Sequence, residues 1–394
     1  MPAPQQLTPD ADTVSLSDSG EHVLALGGAD SVLGNGGNDT LDGGGGADTL
    51  NGGDDNDFLI GNAGSDLLMG DSGDDTILGG AGNDTINGFF GNDVLYGGDG
   101  NDSIFVSALL IGDINVMYGG AGNDTLANGQ VMHGGAGNDV LSFSRLGFGE
   151  GGRDTLIGTT GDDILSGGSG PDSIDGSLGA DFVTGDAGDD TLNGGLGDDM
   201  LDGGAGFDLA DFRGFSGDAS VALGSAASGS AGIDQLVSIE GALMGAGRDT
   251  VIGTGDGNRV DGGGGNDTLR GAGGADTLTG GGGDRLSGAG GNDILRGDGG
   301  NDVLDGGAGN DRLFGNGGAD RFVYGPAGDQ DRIRDFEDGV DTIDLTAFNF
   351  ATIQEARAAA TNVGDAVVFD FGSGDRLVVD GIAKNQLTAA DILI

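Results

Sequence analysis

Between Gly34 and Phe105 the sequence repeats every nine residues without a gap, reading GNGGNDTLD, GGGGADTLN, GGDDNDFLI, GNAGSDLLM, GDSGDDTIL, GGAGNDTIN, GFFGNDVLY and GGDGNDSIF. The rule is G-G-x-G-x-D-x-U-x, where U is a large aliphatic. About 27 copies follow it: nine from Ala25 to Phe105, nine between Gly119 and Asp211, and nine from Met244 to Val323. A unit this short cannot bury its own aliphatic side chain, so the copies must stack and share one continuous core. That requirement sets the fold more firmly than composition does.

Within each copy, G-G-x-G-x-D forms a turn whose glycines admit positive φ and close approach of backbone carbonyls, and x-U-x suits a very short strand. Two nine-residue copies then make one coil of 18 residues. Coils stacked about 4.8 Å apart give two parallel sheets, with Leu41, Leu50, Leu59, Leu68, Ile77 and Ile86 meeting in a narrow core. The expected fold class is all-β, a parallel β-roll (a β-solenoid) in two blocks separated by an insertion, with a small mixed C-terminal cap. Composition agrees, since 92 of 394 residues are glycine, aromatics are 5%, and Trp and Cys are absent. A core one side chain deep per sheet has little room for Trp. Without Cys there is no disulfide framework and no thiolate metal site.

The formal charge of −50 argues against nucleic acid and anionic membrane as direct partners and points to cations. Stacking places the turn aspartates of every second copy above one another, as with Asp48, Asp66 and Asp84. Two bare carboxylates ~5 Å apart repel by roughly 0.8 kcal/mol even with the dielectric of water. Summed over about 20 such neighbours, this exceeds the 5–15 kcal/mol by which a domain is usually stable. The roll is therefore expected to require its cations. Carboxylate plus backbone carbonyl is a hard all-oxygen donor set that selects Ca²⁺ over zinc, copper or iron, and Mg²⁺ fits less well because it wants a small rigid octahedron.

On these motifs the chain resembles the RTX family, the hemolysin-type calcium-binding repeats of secreted Gram-negative proteins, over roughly 300 of its 394 residues. The resemblance implies an RTX β-roll in which each ion sits between stacked turns and takes Asp side chains and turn carbonyls. Carried over position by position, the ligands in the first tract are Asp30, Asp39, Asp48, Asp57, Asp66, Asp75, Asp84, Asp93 and Asp102. In the second they are Asp124, Asp139, Asp154, Asp163, Asp172, Asp181, Asp190, Asp199 and Asp208. In the third they are Asp249, Asp267, Asp276, Asp293, Asp302, Asp311 and Asp320. Sites between neighbouring turns on both edges give an expectation on the order of 20 calcium ions, filled cooperatively.

The departures from the rule divide the chain. Residues 1–24, with alternating Val14, Leu16, Val23 and Leu24, read as an N-terminal cap, and 25–211 as the first roll, with irregular coils at 106–148. There GGAGNDTLA-NGQVMH and GGAGNDVLS-FSRLGF are 15-residue units, so one edge has no G-G-x-G-x-D turn between Gly88 and Gly158. Val106 to Tyr118, Val131, Met132, His133, Phe143, Arg145, Leu146 and Phe148 lie in that gap. They read as an adapted core with tighter corners or as a docking patch, and the first reading is favoured. Residues 212–243 read as a hairpin-like insertion ending in Ser238-Ile239-Glu240, a segment the RTX family often carries before its repeats resume, and 244–323 as the second roll. Asn258 replaces a ligand carboxylate and residues 280–287 make a short copy with Asp284 displaced, so both turns should bind weakly or not at all.

Residues 324–394 lose glycine and read as a mixed cap. Its FVY, DRIRDF, GVDTIDL and LTAADILI resemble the C-terminal region of RTX proteins exported by type I secretion, whose signal is C-terminal and uncleaved. The resemblance implies the type I secretion machinery as a partner and an extracellular or cell-surface location in a Gram-negative bacterium. MPAPQQLTPDADTV offers no Sec-type signal, and the longest apolar stretch, Phe105 to Met117, is too short for a transmembrane helix, so a soluble chain is expected.

Enzyme readings lack their residues. Only His22 and His133 occur, with no H-E-x-x-H and no G-x-S-x-G, and the many G-x-G-x-x-G matches are by-products of the nonapeptide without a βαβ context. The expectation is a non-catalytic calcium-binding protein that folds on extracellular Ca²⁺ and acts as a surface-layer, matrix or adhesion component, with self-association or a cell-surface glycan as further partners. The alternatives are a membrane-acting, pore-forming RTX effector and a carbohydrate-binding or carbohydrate-modifying module.

Overall fold

The computed structural model describes residues 4–108, 112–143, 145–229, 231–326 and 329–394. The chain forms two units, Met1–Gly195 with Asp202–Gly206, and Leu196–Leu201 with Phe207–Ile394.

In the first unit, consecutive strands alternate between two parallel sheets. One sheet runs His22–Leu24, Thr40–Gly45, Phe58–Ala63, Thr76–Ala81, Val94–Asp99, Val116–Ala121, Val131–Ala136, Leu146–Gly151, Ile164–Ser169 and Phe182–Ala187. The other begins Thr13–Ser15, Ser31–Gly36, Thr49–Asp54, Leu67–Ser72, Thr85–Phe90 and Ser103–Phe105. It continues through Thr125–Ala127, Val140–Ser142, Thr155–Ile157 and Ser173–Asp175 to Thr191–Asn193. This is the parallel β-solenoid that the nine-residue rule requires. The segment before Ala25 joins it directly, since Gln5–Gln6 pairs with His22–Leu24 and Thr13–Ser15 with Ser31–Gly36.

In-register stacking puts each U residue over its equivalent. Leu41, Leu59, Ile77 and Leu95 from one sheet face Leu50, Leu68, Ile86 and Ile104 from the other, all with no exposed surface. Where the coils shorten, the core changes composition. Gly147 stands at a U position opposite Met132, and Phe143 occupies the space its missing side chain leaves, so that a methyl on Gly147 would overlap the Phe143 ring. Val106, Met117, Met132 and Phe143 are buried in the core, whereas Val131, His133, Leu146 and Phe148 are half-buried and Arg145 is exposed. The apolar stretch 105–118 lies partly outside the described residues, and no described helix is long and apolar enough to cross a membrane.

The second unit has the same alternation. One sheet runs Ser220–Ala222, Thr250–Ile252, Thr268–Arg270, Arg285–Gly290, Val303–Ala308, Arg321–Val323, Thr342–Asp344 and Ile392–Leu393. The other runs Leu209–Asp211, Gly241–Leu243, Arg259–Asp261, Thr277–Thr279, Ile294–Arg296, Arg312–Phe314, Gln330–Ile333 and Asp375–Asp380. Within 212–243, Ser220–Ala222, Ala226–Ser228 and Ile233–Val237 pair antiparallel. At the C-terminal end, Asp375–Asp380 pairs antiparallel with Ala366–Gly372, and that strand with Ala360–Val363. The helix Ile353–Ala358, capped by the Thr352 side chain, leads into this meander. The change from parallel to antiparallel lets a short connection cover the open edge of the sheet.

Candidate metal centre

Two glycine positions show what the corners are built for. The fourth residue of most copies is glycine, and Gly46 shows why: its φ is +134°, and a methyl there would overlap the carbonyl oxygen of Gly28 one coil below. The first glycine has another reason. A Cβ on Gly79 would lie 2.5 Å from Asp84 Oδ2 and 2.5 Å from the Gly97 carbonyl oxygen, and a Cβ on Gly61 would stand at the same distances from Asp66 Oδ2 and Gly79 O. Each corner is thus a cradle in which a carboxylate oxygen and a carbonyl oxygen of the next coil converge on space kept clear of side chain.

The two oxygens of each aspartate have different roles. Oδ1 accepts the backbone N–H of the aspartate one coil earlier: Asp48 donates to Asp66 at 2.7 Å, Asp66 to Asp84 at 2.8 Å and Asp84 to Asp102 at 2.8 Å. On the opposite edge Asp39 donates to Asp57 at 2.8 Å, Asp57 to Asp75 at 2.8 Å and Asp75 to Asp93 at 3.1 Å. Oδ2 is buried with no hydrogen-bond partner at every ligand position from Asp30 to Asp172 except Asp163, and again at Asp267, Asp276, Asp293, Asp302, Asp311 and Asp320. A buried carboxylate oxygen without a donor costs several kcal/mol unless a cation meets it.

Burial pushes the carboxyls of Asp57, Asp75, Asp139 and Asp172 up to about 7, and those of Asp39, Asp93 and Asp102 up to about 6. The backbone N–H received from the preceding coil opposes this shift, and neighbouring carboxylates add to it. Without a counter-ion these groups hold protons near neutral pH. The donor set of carboxylate and carbonyl oxygen fits a hard divalent cation of calcium's size.

A family model described as the RTX calcium-binding nonapeptide repeat matches overlapping segments that together span 24–104, 112–143, 148–210 and 245–329, more than half of the chain. The chain belongs to the RTX family.

Among solved structures, an extracellular lipase from Serratia marcescens matches at 18% identity and a TM-score of 0.26, over 61% of this chain and 40% of the lipase. A Ca²⁺-dependent β-helical antifreeze protein from an Antarctic bacterium matches at 16% identity and a TM-score of 0.23, over 93% of this chain and 95% of that one. The chain thus spans well under two thirds of the lipase. No curated protein matches its sequence.

All 25 aspartates named from the RTX rule are at corners and no more than 4% exposed. They do not all keep a bare oxygen. Asp163 Oδ2 accepts the Thr159 N–H at 3.0 Å. Two further corners satisfy themselves in the same way: Asn258 Oδ1 accepts the Thr254 N–H at 2.7 Å, and Asp284 Oδ2 accepts the Gly282 N–H at 2.8 Å. Asp284 nonetheless sits in the ladder, accepting from Asp267 at 2.7 Å, because the sheet absorbs the one-residue deletion in its turn.

On the edge that lacks RTX turns, the ladder continues with neutral side chains. Asp93 donates to Asn115 Oδ1 at 2.8 Å and Asn115 to Gln130 Oε1 at 2.6 Å, so amides stand where carboxylates stand elsewhere. Outside these same coils, Tyr96, Tyr118, His133 and Phe148 stack with ring centroids 4.8, 4.9 and 4.8 Å apart. His133 Nδ1 lies 2.9 Å from Glu150 Oε1.

Sequence reasoning missed four ladder carboxylates: Glu240, which accepts from Asp208 at 2.9 Å, and three aspartates, Asp234, Asp331 and Asp341. These aspartates accept from Asp199 at 3.1 Å, from Asp311 at 3.0 Å and from Asp320 at 3.0 Å. Their signal was a D-x-U fragment stripped of its glycines: Asp234-Gln-Leu236, Asp331-Arg-Ile333 and Asp341-Thr-Ile343, each ending in a buried aliphatic.

Proposed function

We propose that this RTX protein is non-catalytic, leaves the cell by type I secretion, folds on extracellular Ca²⁺, and serves as a surface-layer, matrix or adhesion component. The observation that carries the reading is the recurrence of a buried, bare carboxylate oxygen at Asp30 to Asp154 and Asp172 in the first unit and at Asp267, Asp276, Asp293, Asp302, Asp311 and Asp320 in the second. Such a chain is uneconomical to fold where Ca²⁺ is scarce and stable where extracellular modules bind it, at ~10⁻⁴ to 10⁻³ M. Export unfolded and folding outside follow from that difference. An ion in each cradle supplies positive charge to the carboxylates of adjacent coils, and the chain's own residues supply the rest, since the Oδ1 ladder and the aliphatic core set the stacking before metal is counted.

Sites between neighbouring corners on two edges support a stoichiometry on the order of 20 ions. The assembly part of the proposal is tested by sedimentation against calcium. Fibres, sheets or defined oligomers should appear at millimolar Ca²⁺ and dissolve in chelator. A strict monomer at every calcium concentration defeats the self-assembling form of the reading.

A further inference from the structure

Positive charge is scarce in this chain and unevenly placed. No Lys or Arg precedes Arg145, and Lys384 is the only lysine among 15 basic residues. In the second unit, four arginines gather on the outer face of one sheet. Ile294–Arg296, Arg312–Phe314 and Gln330–Ile333 are consecutive parallel strands, with Ile294 opposite Arg312, Arg296 opposite Phe314 and Arg312 opposite Arg332. Leu295, Leu313 and Ile333 alternate into the core, which turns Arg296, Arg312, Arg332 and the following Arg334 outward. The Arg296 guanidinium lies 5.1 Å from the centre of the Phe314 ring, a cation–π contact that fixes its plane.

Local counter-charge is small. Asp380 pairs with Arg332 at 2.8 Å and reaches Arg334 at 3.5 Å, while among the described residues Arg296 and Arg312 make no ion pair. Beside Arg312, a shallow groove is lined by Asn292, Asp293, Ile294 and Asn310. Acidic corners bound the strip on both sides, with Asp293 and Asp311 on one edge and Asp302 and Asp320 on the other.

We propose that this strip binds an acidic polysaccharide, a single extended chain bearing repeated carboxylate or sulfate groups. Arginine presents a planar fork that meets either oxyanion in pairs of hydrogen bonds, and the register sets Arg312 beside Arg332 at the strand spacing of ~4.8 Å, with Arg296 two residues along the neighbouring strand on the same face. The strip is only about 7–10 Å wide, the length of a three-residue strand. A thin polyanion lies between the acidic edges. A DNA duplex, an anionic bilayer or a second copy of this acidic chain is broad enough to press its own negative charge against exposed carboxylates beside the strip, such as Asp298. The proposal deepens the adhesion reading above and rests on it for the extracellular setting.

The test uses the full calcium-loaded chain against oligogalacturonate, dextran sulfate, neutral dextran and a DNA duplex, each at low and high salt. Binding of one or both acidic saccharides, weakened by salt and absent for dextran, is expected, and the two acidic arms separate carboxylate from sulfate. R296A/R312A should weaken it at least tenfold, with R312Q as the milder variant should the double replacement disturb folding, while Arg153→Gln in the first unit binds as the parent. Calcium-induced circular dichroism should be unchanged in all three. No binding of either acidic saccharide, binding indifferent to R296A/R312A and R312Q, or a preference for duplex DNA overturns the proposal. A chain that folds on calcium and ignores both saccharides loses the strip alone, whereas one that is compact in chelator loses the calcium reading whatever the strip binds.

Discussion

At the scale of single residues, a corner aspartate such as Asp66 or Asp84 divides its carboxylate between two roles: Oδ1 closes a hydrogen bond to the coil before it, and Oδ2 is left bare in a cradle of backbone oxygen. This division has a pH signature. Burial lifts Asp57, Asp75, Asp139 and Asp172 to about 7 in the metal-free fold, against an ordinary value of about 3.9 in the unfolded chain. The metal-free fold therefore binds more protons than the unfolded chain between those limits. Its proton-linked stability is fully present below about pH 4 and is lost as pH rises through about 6 to 7. In chelator, acidification from pH 7.5 to 4.5 should restore β structure by circular dichroism, with protons standing in for calcium. In calcium, the ion concentration at half-folding should fall as pH falls from 7.5 to 5.5, because protons already support the fold, while fewer ions bind each folded chain because protons and ions compete for the same oxygens. A metal-free chain equally unfolded at both pH values would refute this account of the corners.

The coil is the next scale, and its most instructive examples are the short ones. A regular coil is written by glycine at its first and usually its fourth position, aspartate at its sixth and an aliphatic at its eighth, all visible in the sequence, so its pitch, its sheets and the place of its aspartates were legible there. The 15-residue coils keep the ladder by other means: Asn115 and Gln130 accept on the edge without turns, and Phe143 fills the room beside Gly147. Nothing in the nonapeptide rule shows that Phe143 turns inward, because its partner Gly147 is recognised as a vacated U position only when stacked on Met132. F143A should leave a cavity costing about 3–5 kcal/mol, read as a lower melting temperature of the calcium-loaded protein. G147L added to F143A should recover much of that loss by restoring the aliphatic of an ordinary coil. If F143A alone is neutral, Phe143 is not the plug the geometry makes it. The same limit hid Asp234, Asp331 and Asp341, whose D-x-U fragments carry too little of the motif to be recognised before the strands around them are paired.

For the whole molecule, what was legible was what a period can encode: an all-β parallel solenoid with acidic corners. The C-terminal segment was harder to read because its strands join both sheets from distant places, Ile392 beside Ile343 and Asp375–Asp380 beside Gln330–Ile333. The arginine strip was equally invisible, since Arg296, Arg312, Arg332 and Arg334 become neighbours only through register. At neutral pH, a chain of net charge −50 that buries a carboxylate at nearly every corner is predicted to stay folded only while cations meet those carboxylates. Far-UV circular dichroism with sedimentation velocity, at pH 7.5 and low ionic strength, in excess EGTA and then in millimolar calcium, tests that directly. The prediction is an expanded chain with little β signal in EGTA and a compact, β-rich particle in calcium, with a steep transition between them. A compact, β-rich particle in EGTA, unchanged when calcium is added, would contradict it.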